Sequence, residues 1–249
     1  MANVFGILTA IVLALASFVA YKNKDAYANE LTHRKNEDRN LAATEARLKT
    51  AQKSLAEFCV SPELIATRLF CPVMEKDEAI LVEGAERYSE PVGYGWDLGF
   101  GGPFTDMSPV VHGRSLDSWV VAIDASDFRG GNRNSQFEPA GIIRELNKAW
   151  AGFSMPGAPD RIATGNWGCG LFKGDVELKS ILQWLAASRA GRAIHYHPWN
   201  EERVYRELPP LAERLCASRI TVGEVTRALL GGVAPRRCYT QLRDTYAAT

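Results

Sequence analysis

The residues with the clearest chemical meaning run Gly165-Asn166-Trp167-Gly168-Cys169-Gly170-Leu171-Phe172-Lys173-Gly174-Asp175. A short strand is expected before them, over Arg161–Thr164, and a helix after them. Leu178, Ile181, Leu182 and Leu185 keep the i, i+3, i+4, i+7 spacing of a buried helical face. Glycines let a backbone come close to a ligand, and the first turn of a helix aims free N–H groups and the positive end of its dipole at the same point. That is a phosphate cradle. The same composition also makes a tight structural turn, and the residues alone leave both readings open. It is not a Walker loop, because Lys173 precedes Gly174 and no Gly-Lys-Ser/Thr occurs. Cys169 sits in no catalytic motif, and its small size accounts for it. His195 and His197 share one face of a predicted strand but have no third ligand partner, so they read as surface histidines and not as a metal site. No Gly-x-Ser-x-Gly elbow occurs. Asp124, Asp127, Asp175 and Glu224 lie near element ends, where turns and caps use carboxylates. These residues point to a phosphate-bearing small ligand, with no metal, no cofactor and no identifiable reaction.

The elements that must position this turn alternate. Ala79–Glu83 and Trp119–Asp124 read as buried strands, and Ala193–His197 as another. Between the first two lies an aperiodic stretch rich in glycine, proline and aromatics, including Tyr88, Tyr94, Trp96, Phe100 and Phe104, which reads as a functional loop. Its Gly99-Phe100-Gly101-Gly102 lacks the spacing of a dinucleotide fingerprint. Ser61-Pro62-Glu63 opens a short helix, and Pro139–Trp150 forms one with Ile142, Ile143, Leu146 and Ala149 on one side. A helix broken near Pro209-Pro210 and a final helix over Thr221–Leu230 close the chain. Strands alternating with helices predict an α/β domain with a mostly parallel or mixed sheet covered by helices.

The first part of the chain is built differently. No glycine lies between Gly6 and Gly84, and the first proline is Pro62. Residues 1–21 carry no charge, and Val4–Tyr21 as a helix would span roughly 27 Å, enough to cross a hydrocarbon core. Lys22, Lys24, Arg34 and Lys35 follow the run, so a membrane anchor at 4–21 would leave the remainder cytoplasmic. A cleaved signal peptide and a mis-joined gene model are the alternatives. Residues 22–57 have helix composition, with Leu41, Leu48 and Leu55 seven apart but without apolar partners at the intervening positions. A solvated stalk is expected, with His33 on its surface. Across all 249 residues, 29 Lys plus Arg balance 29 Asp plus Glu, which excludes a general nucleic-acid binder. Five cysteines without a CxxC pair make neither a disulfide framework nor a zinc site.

The segment ATGNWGCGLFKGD followed by LKSILQWLAASRA resembles the signature region of the poly(ADP-ribose) glycohydrolase family. SPELIATRLF, AILVEGAERYSEPVGY, VVAIDASDF, QFEPAGIIRELNKAWAGF and ITVGEVTRALL resemble that family in the same order, over Phe58–Leu230. The resemblance implies an incomplete macrodomain-like mixed sheet flanked by helices over 58–249, preceded by the transmembrane-like helix (1–21) and the stalk (22–57). It implies ADP-ribose or poly(ADP-ribose) as partner, no direct DNA binding and no cofactor. Asn166 lies in the diphosphate loop, where Gly168, Cys169, Gly170 and Leu171 would offer backbone N–H groups. Phe172 would pack against the ribose region, Tyr94 would stack on the adenine, and Trp199 would line the terminal ribose.

One element of the family does not carry over. The catalytic glutamate of the family lies in a loop of three glycines followed by Gln-Glu-Glu, expected just before Ala56–Phe58. Lys53, Ser54 and Leu55 stand there instead, and Glu57 lies on a glycine-free helical segment. The early strands of the domain are missing with it. No catalytic residue is therefore assigned. The expectations are an incomplete gene model of an active enzyme (its domain then placed in the cytoplasm or nucleus), a membrane-anchored inactive ADP-ribose-binding module, a remnant without ligand, or a scaffold acting through the stalk.

Overall fold

The computed structural model describes residues 29–42, 44, 60–93, 99–105, 119–130 and 133–247. The segment read as a membrane anchor, 4–21, lies outside them, as do Lys53, Ser54, Leu55 and Glu57. Among the described residues no helix is long and apolar enough to cross a membrane.

Helix α1 covers 29–42, and its side chains are exposed throughout, as a polar stalk composition dictates. Glu30 pairs with Arg34 at 2.6 Å and His33 with Glu37 at 3.4 Å, the i, i+4 spacing that brings side chains together on one helical face. Pro62–Ala66 is a 3-10 turn that runs into one α-turn, α2 (Thr67–Phe70). Ser61 makes no side-chain cap there; proline at the first position supplies the preset φ instead.

The strands depart from expectation. They form three separate two-stranded ribbons rather than one sheet. β1 (Ile80–Glu83) pairs antiparallel with β4 (Trp119–Ala122), with Leu81 opposite Val121. β2 (Ser89–Val92) and β3 (Gly99–Pro103) pair antiparallel, with a register shift between Ser89 and Pro91. Part of the aperiodic aromatic stretch is thus a ribbon, hidden from pattern reading because glycine and proline supply most of β3. β5 (Arg161–Gly165) and β6 (Ala193–His197) pair parallel, with Ala163 opposite His195. β1 and β4, read as buried, are half-buried, because a cavity of about 1020 Å³ separates β4 from β5. Val121, Ile123, Ile162 and Thr164 line it.

One helical layer lies under the β1–β4 and β5–β6 ribbons. α3 (Pro139–Phe153) presses on β4 so closely that a Cβ on Gly152 would meet Ile123 Cγ2 at 2.7 Å and Val121 Cγ1 at 2.8 Å. α4 (Val176–Arg189) is buried nearly all round. Its Ala186 and Ala187 join Ala149, Phe153, Ile123, Ile162 and Ile194 on the strand side. On the opposite side its Leu178, Ile181, Leu182 and Leu185 meet α5 (Glu202–Ala217), α6 (Val222–Leu230) and α7 (Cys238–Thr245).

α5 is continuous through Pro209 and Pro210, contrary to the predicted break. Both prolines are exposed, while Val204, Leu208, Leu211 and Leu215 bury the other face. Their missing N–H groups cost helix hydrogen bonds only on the solvent side, and burial of four apolar side chains outweighs that cost. α6 opens with the Thr221/Glu224 capping box. α7 has no sequence expectation behind it; its Tyr239 is fully buried and shares a 2.6 Å hydrogen bond with Ser180.

Candidate functional site

The glycine-rich turn forms as the strand–turn–helix reading requires. β5 ends at Gly165, whose added Cβ would lie 2.7 Å from the His197 carbonyl, so only glycine lets β6 approach here. Asp175 caps α4, accepting from the Leu178 N–H at 3.0 Å with one carboxylate oxygen and from the Arg236 N–H at 3.0 Å with the other. Glu224 is a capping residue too, and Asp127 clasps Arg129. Gln136, buried, accepts the Asp175 N–H at 2.6 Å and pins the end of the turn.

Inside the turn the hydrogen bonds divide sharply. Trp167 N–H donates to the Gly165 carbonyl, Cys169 N–H to the Asn166 carbonyl and Gly174 N–H to the Gly168 carbonyl, at 2.7, 3.0 and 2.9 Å. Among the described residues none accepts from the N–H groups of Gly168, Gly170, Leu171 or Phe172. Four adjacent or near-adjacent amides are thus left without an acceptor in the turn that leads into α4. The Cys169 amide, by contrast, is spent in closing the turn. Burial pushes the Cys169 thiol far above its usual range, with Asp175 and Glu201 adding to the shift, so it offers no thiolate.

Two walls hold the turn. On the strand side Trp167 Nε1 donates to the Ile123 carbonyl at 3.1 Å, and Phe128 N–H donates to the Phe172 carbonyl at 2.9 Å. Phe172 is half-buried, and the Arg129 guanidinium lies 5.4 Å from its ring centre. On the other side Asn166 Nδ2 donates to the Pro198 carbonyl at 2.7 Å, while Tyr196 donates to Asn166 Oδ1 at 3.1 Å. Asn166 thereby ties the start of the turn to the residue before Trp199, which is 67% exposed at a φ of 54°. Asn166, Gly168, Cys169, Gly170, Leu171, Phe172 and Trp199 therefore gather at the carboxyl ends of the parallel pair, the usual ligand edge of such strands. Tyr94 lies outside the described residues. His195 and His197 are exposed with ring centres 4.5 Å apart, and among the described residues no third metal-binding side chain joins them.

Beneath the turn lies a charge cluster that pattern reading passed over. Lys179 and Glu145, each 1% exposed, form a direct ion pair. Glu145 also accepts from Ser126 Oγ at 2.6 Å and from Arg144 at 2.6 Å. Asp124 pairs with Arg144 and with buried Lys148, each at 2.5 Å. Burial pushes the Asp124 carboxyl up, but Lys148 and Arg144 together prevail and hold it below its ordinary value. The available signal was a set of polar residues, Glu177, Lys179, Ser180 and Gln183, on a helix otherwise apolar enough to be buried on every side.

An α/β scaffold with a glycine-rich turn between a parallel strand and a helix is the class that fold and site define. Comparison with known proteins makes it specific. The family model for poly (ADP-ribose) glycohydrolase, macro domain fold, matches residues 47–206. The chain is similar to a probable poly(ADP-ribose) glycohydrolase 2 of Arabidopsis thaliana, with 30% identity covering 86% of this chain and 52% of that protein. It is 34% identical to poly(ADP-ribose) glycohydrolase 1 of Caenorhabditis elegans over 67% of this chain and 23% of that protein. Poly(ADP-ribose) glycohydrolase 1 of Arabidopsis thaliana is 28% identical over 72% of this chain and 45% of its own length. The chain belongs to the poly(ADP-ribose) glycohydrolase family and spans about half, or less, of these relatives. The family match begins at residue 47, inside the segment read as stalk, and ends short of Leu230.

Proposed function

We propose that this chain binds ADP-ribose, free or as a unit of poly(ADP-ribose), with the diphosphate in the nest of Gly168, Gly170, Leu171 and Phe172. The observation that carries the reading is the set of four amide donors, in the turn before α4, without acceptors among the described residues. Asn166 holds the edge of the nest, Phe172 and Trp199 supply faces for the riboses, and Tyr94 would take the adenine. Cys169 contributes turn geometry.

The relatives are named poly(ADP-ribose) glycohydrolases, and cleavage of a glycosidic bond needs a carboxyl group to protonate the leaving oxygen and then activate water. Several carboxylates near the turn have other work: Asp175 caps α4, Glu145 and Asp124 are ion-paired, and buried Glu177 pairs with Arg203 at 2.5 Å. The sequence contains no Gly-Gly-Gly and no Gln-Glu-Glu. Binding without polymer release is therefore the reading adopted for this chain, with residues 58–249 as the binding unit and residues 4–21 as a tether that would keep it at the cytoplasmic face of a membrane.

Calorimetric titration of the full chain with ADP-ribose, beside a polymer-release assay, tests this. Saturable binding with no release is expected. Release of ADP-ribose from polymer would overturn the inactive reading. Gly168→Val should abolish binding, because an added Cβ would lie 2.6 Å from Ala125 Cβ at a φ of +74°. Unchanged affinity in that variant would remove the diphosphate from this turn.

A further inference from the structure

Lys179 stands where elementary electrostatics argues against a cation. It lies in the first turn of α4, at the positive end of the helix dipole, and it is 1% exposed. Burial drives its ammonium well below the usual lysine range, with nearby Arg144 adding to the effect. Three contacts offset this. Glu145 pairs with it, the Trp167 ring centre lies 3.5 Å from Nζ, and the carboxylate of Asp124 favours its charge.

The position of the side chain explains the turn above it. A Cβ on Gly168 would lie 3.2 Å from Lys179 Cε and 3.3 Å from Nζ, and one on Gly174 would lie 3.2 Å from Cε. The turn thus packs against the lysine at Gly168 and Gly174, although the tightest limits on these two glycines are Ala125 Cβ at 2.6 Å with a φ of +74° for the first and the Gly168 carbonyl at 3.0 Å for the second. Trp167, which caps the ammonium with its ring face, fixes the turn to β4 through the Ile123 carbonyl. Glu145 fixes the lysine to the segment after β4 through Ser126. Both links run to the segment that follows β4, and they meet at one ion pair.

We infer that Lys179 is the positioning residue of the anion nest: clamped between Glu145 and Trp167, it sets the path of Gly168–Gly174 and thereby aims the open amides at the bound diphosphate. The inference rests on the proposed ligand only for the second half of that statement. The first half concerns the turn itself and has its own readout.

The test uses the full chain with four forms: wild type, Lys179→Arg, Lys179→Met, and Lys179→Met combined with Glu145→Gln. The double variant removes both charges, keeps an acceptor for Ser126 and avoids an orphaned buried carboxylate. Amide hydrogen exchange over 165–175 is measured without ligand, and affinities for ADP-ribose and for adenosine are measured alongside. The double variant should fold, exchange faster in the turn than in α5, and lose ADP-ribose affinity by roughly tenfold or more. Its adenosine affinity should not change, and Lys179→Arg should recover most of the loss, which a purely structural role would not produce. Wild-type exchange in the turn together with wild-type ADP-ribose affinity in the double variant overturns the inference. If the wild type itself binds no ADP-ribose, the proposed function fails, and turn exchange alone decides the role of Lys179.

Discussion

Residues 133–247 and residues 60–130 are built on different terms. The first stretch contains both buried apolar clusters, from Ile142 to Leu242. Among the described residues the second contributes only Ala85 and Phe128 to the buried apolar set, and it leaves Leu69, Phe70, Val73 and Phe100 exposed at 72% or more. Helices that wrap α4 on several sides enclose a dry core, whereas two-stranded ribbons backed on one face cannot. The anion nest sits on the boundary between the two regions. Its floor is fixed to the helical side by Asp175, Gln136 and Lys179, and its rim is fixed to the strand side by Trp167 and Phe128. A binding loop supported this way keeps its geometry even where one supporting wall is loosely packed.

The contrast can be broken by cutting equivalent side chains from each region. Leu182→Ala, in a fully buried site, should cost about 2–5 kcal/mol in urea denaturation. Val120→Ala, half-buried on β4, should cost about 1 kcal/mol or less, since solvent already reaches the space it would vacate. Equal losses at the two positions would show that the strand region is as tightly packed as the helical one.

A smaller effect of the opposite sign is expected in α5. Pro210→Ala restores a helix N–H on an exposed face and should stabilise the protein by roughly 1 kcal/mol, read as a raised Tm. A lower Tm would mean that the proline ring is packed rather than tolerated.

Acid sharpens the boundary itself. The Asp124 carboxyl is held below the ordinary aspartate range in the folded protein, so its contribution is fully present above that range and is lost as pH falls through the folded pKa. Asp124→Asn should therefore lower stability at pH 7 while flattening its decline below about pH 4. The decline is measured by urea titration at a series of pH values, and an identical acid profile in the variant would remove Asp124 from the linkage. The smallest effect belongs to the stalk. Glu30→Ala, breaking an exposed pair, should change stability by less than about 0.5 kcal/mol, and a larger change would show that α1 is docked rather than solvated.

The sequence by itself determined the unit that carries the site. Four glycines between a β-prone segment and the Leu178–Leu185 stripe require a strand, a close turn and a buried helix, because local φ preference and 3.6-residue periodicity act within a few residues of chain. It also located β1, β4, β6, α3 and α6 to within a few residues. Tertiary structure alone decided the rest. Whether β4 and β5 join one sheet depends on what lies between them, and no strand's own pattern specifies a neighbour. Pro209 and Pro210 look like a break until Val204, Leu208, Leu211 and Leu215 find a core to bury against. α7 has weak amphipathic signal and is held by Tyr239 against Ser180 of α4, a contact 59 positions away in the chain. Lys179 looks like a surface lysine, because no local rule shows that Glu145 of α3 and Trp167 of the turn converge on its ammonium. Burial of a charge is settled by partners distant in sequence, and those partners come together only when the chain packs.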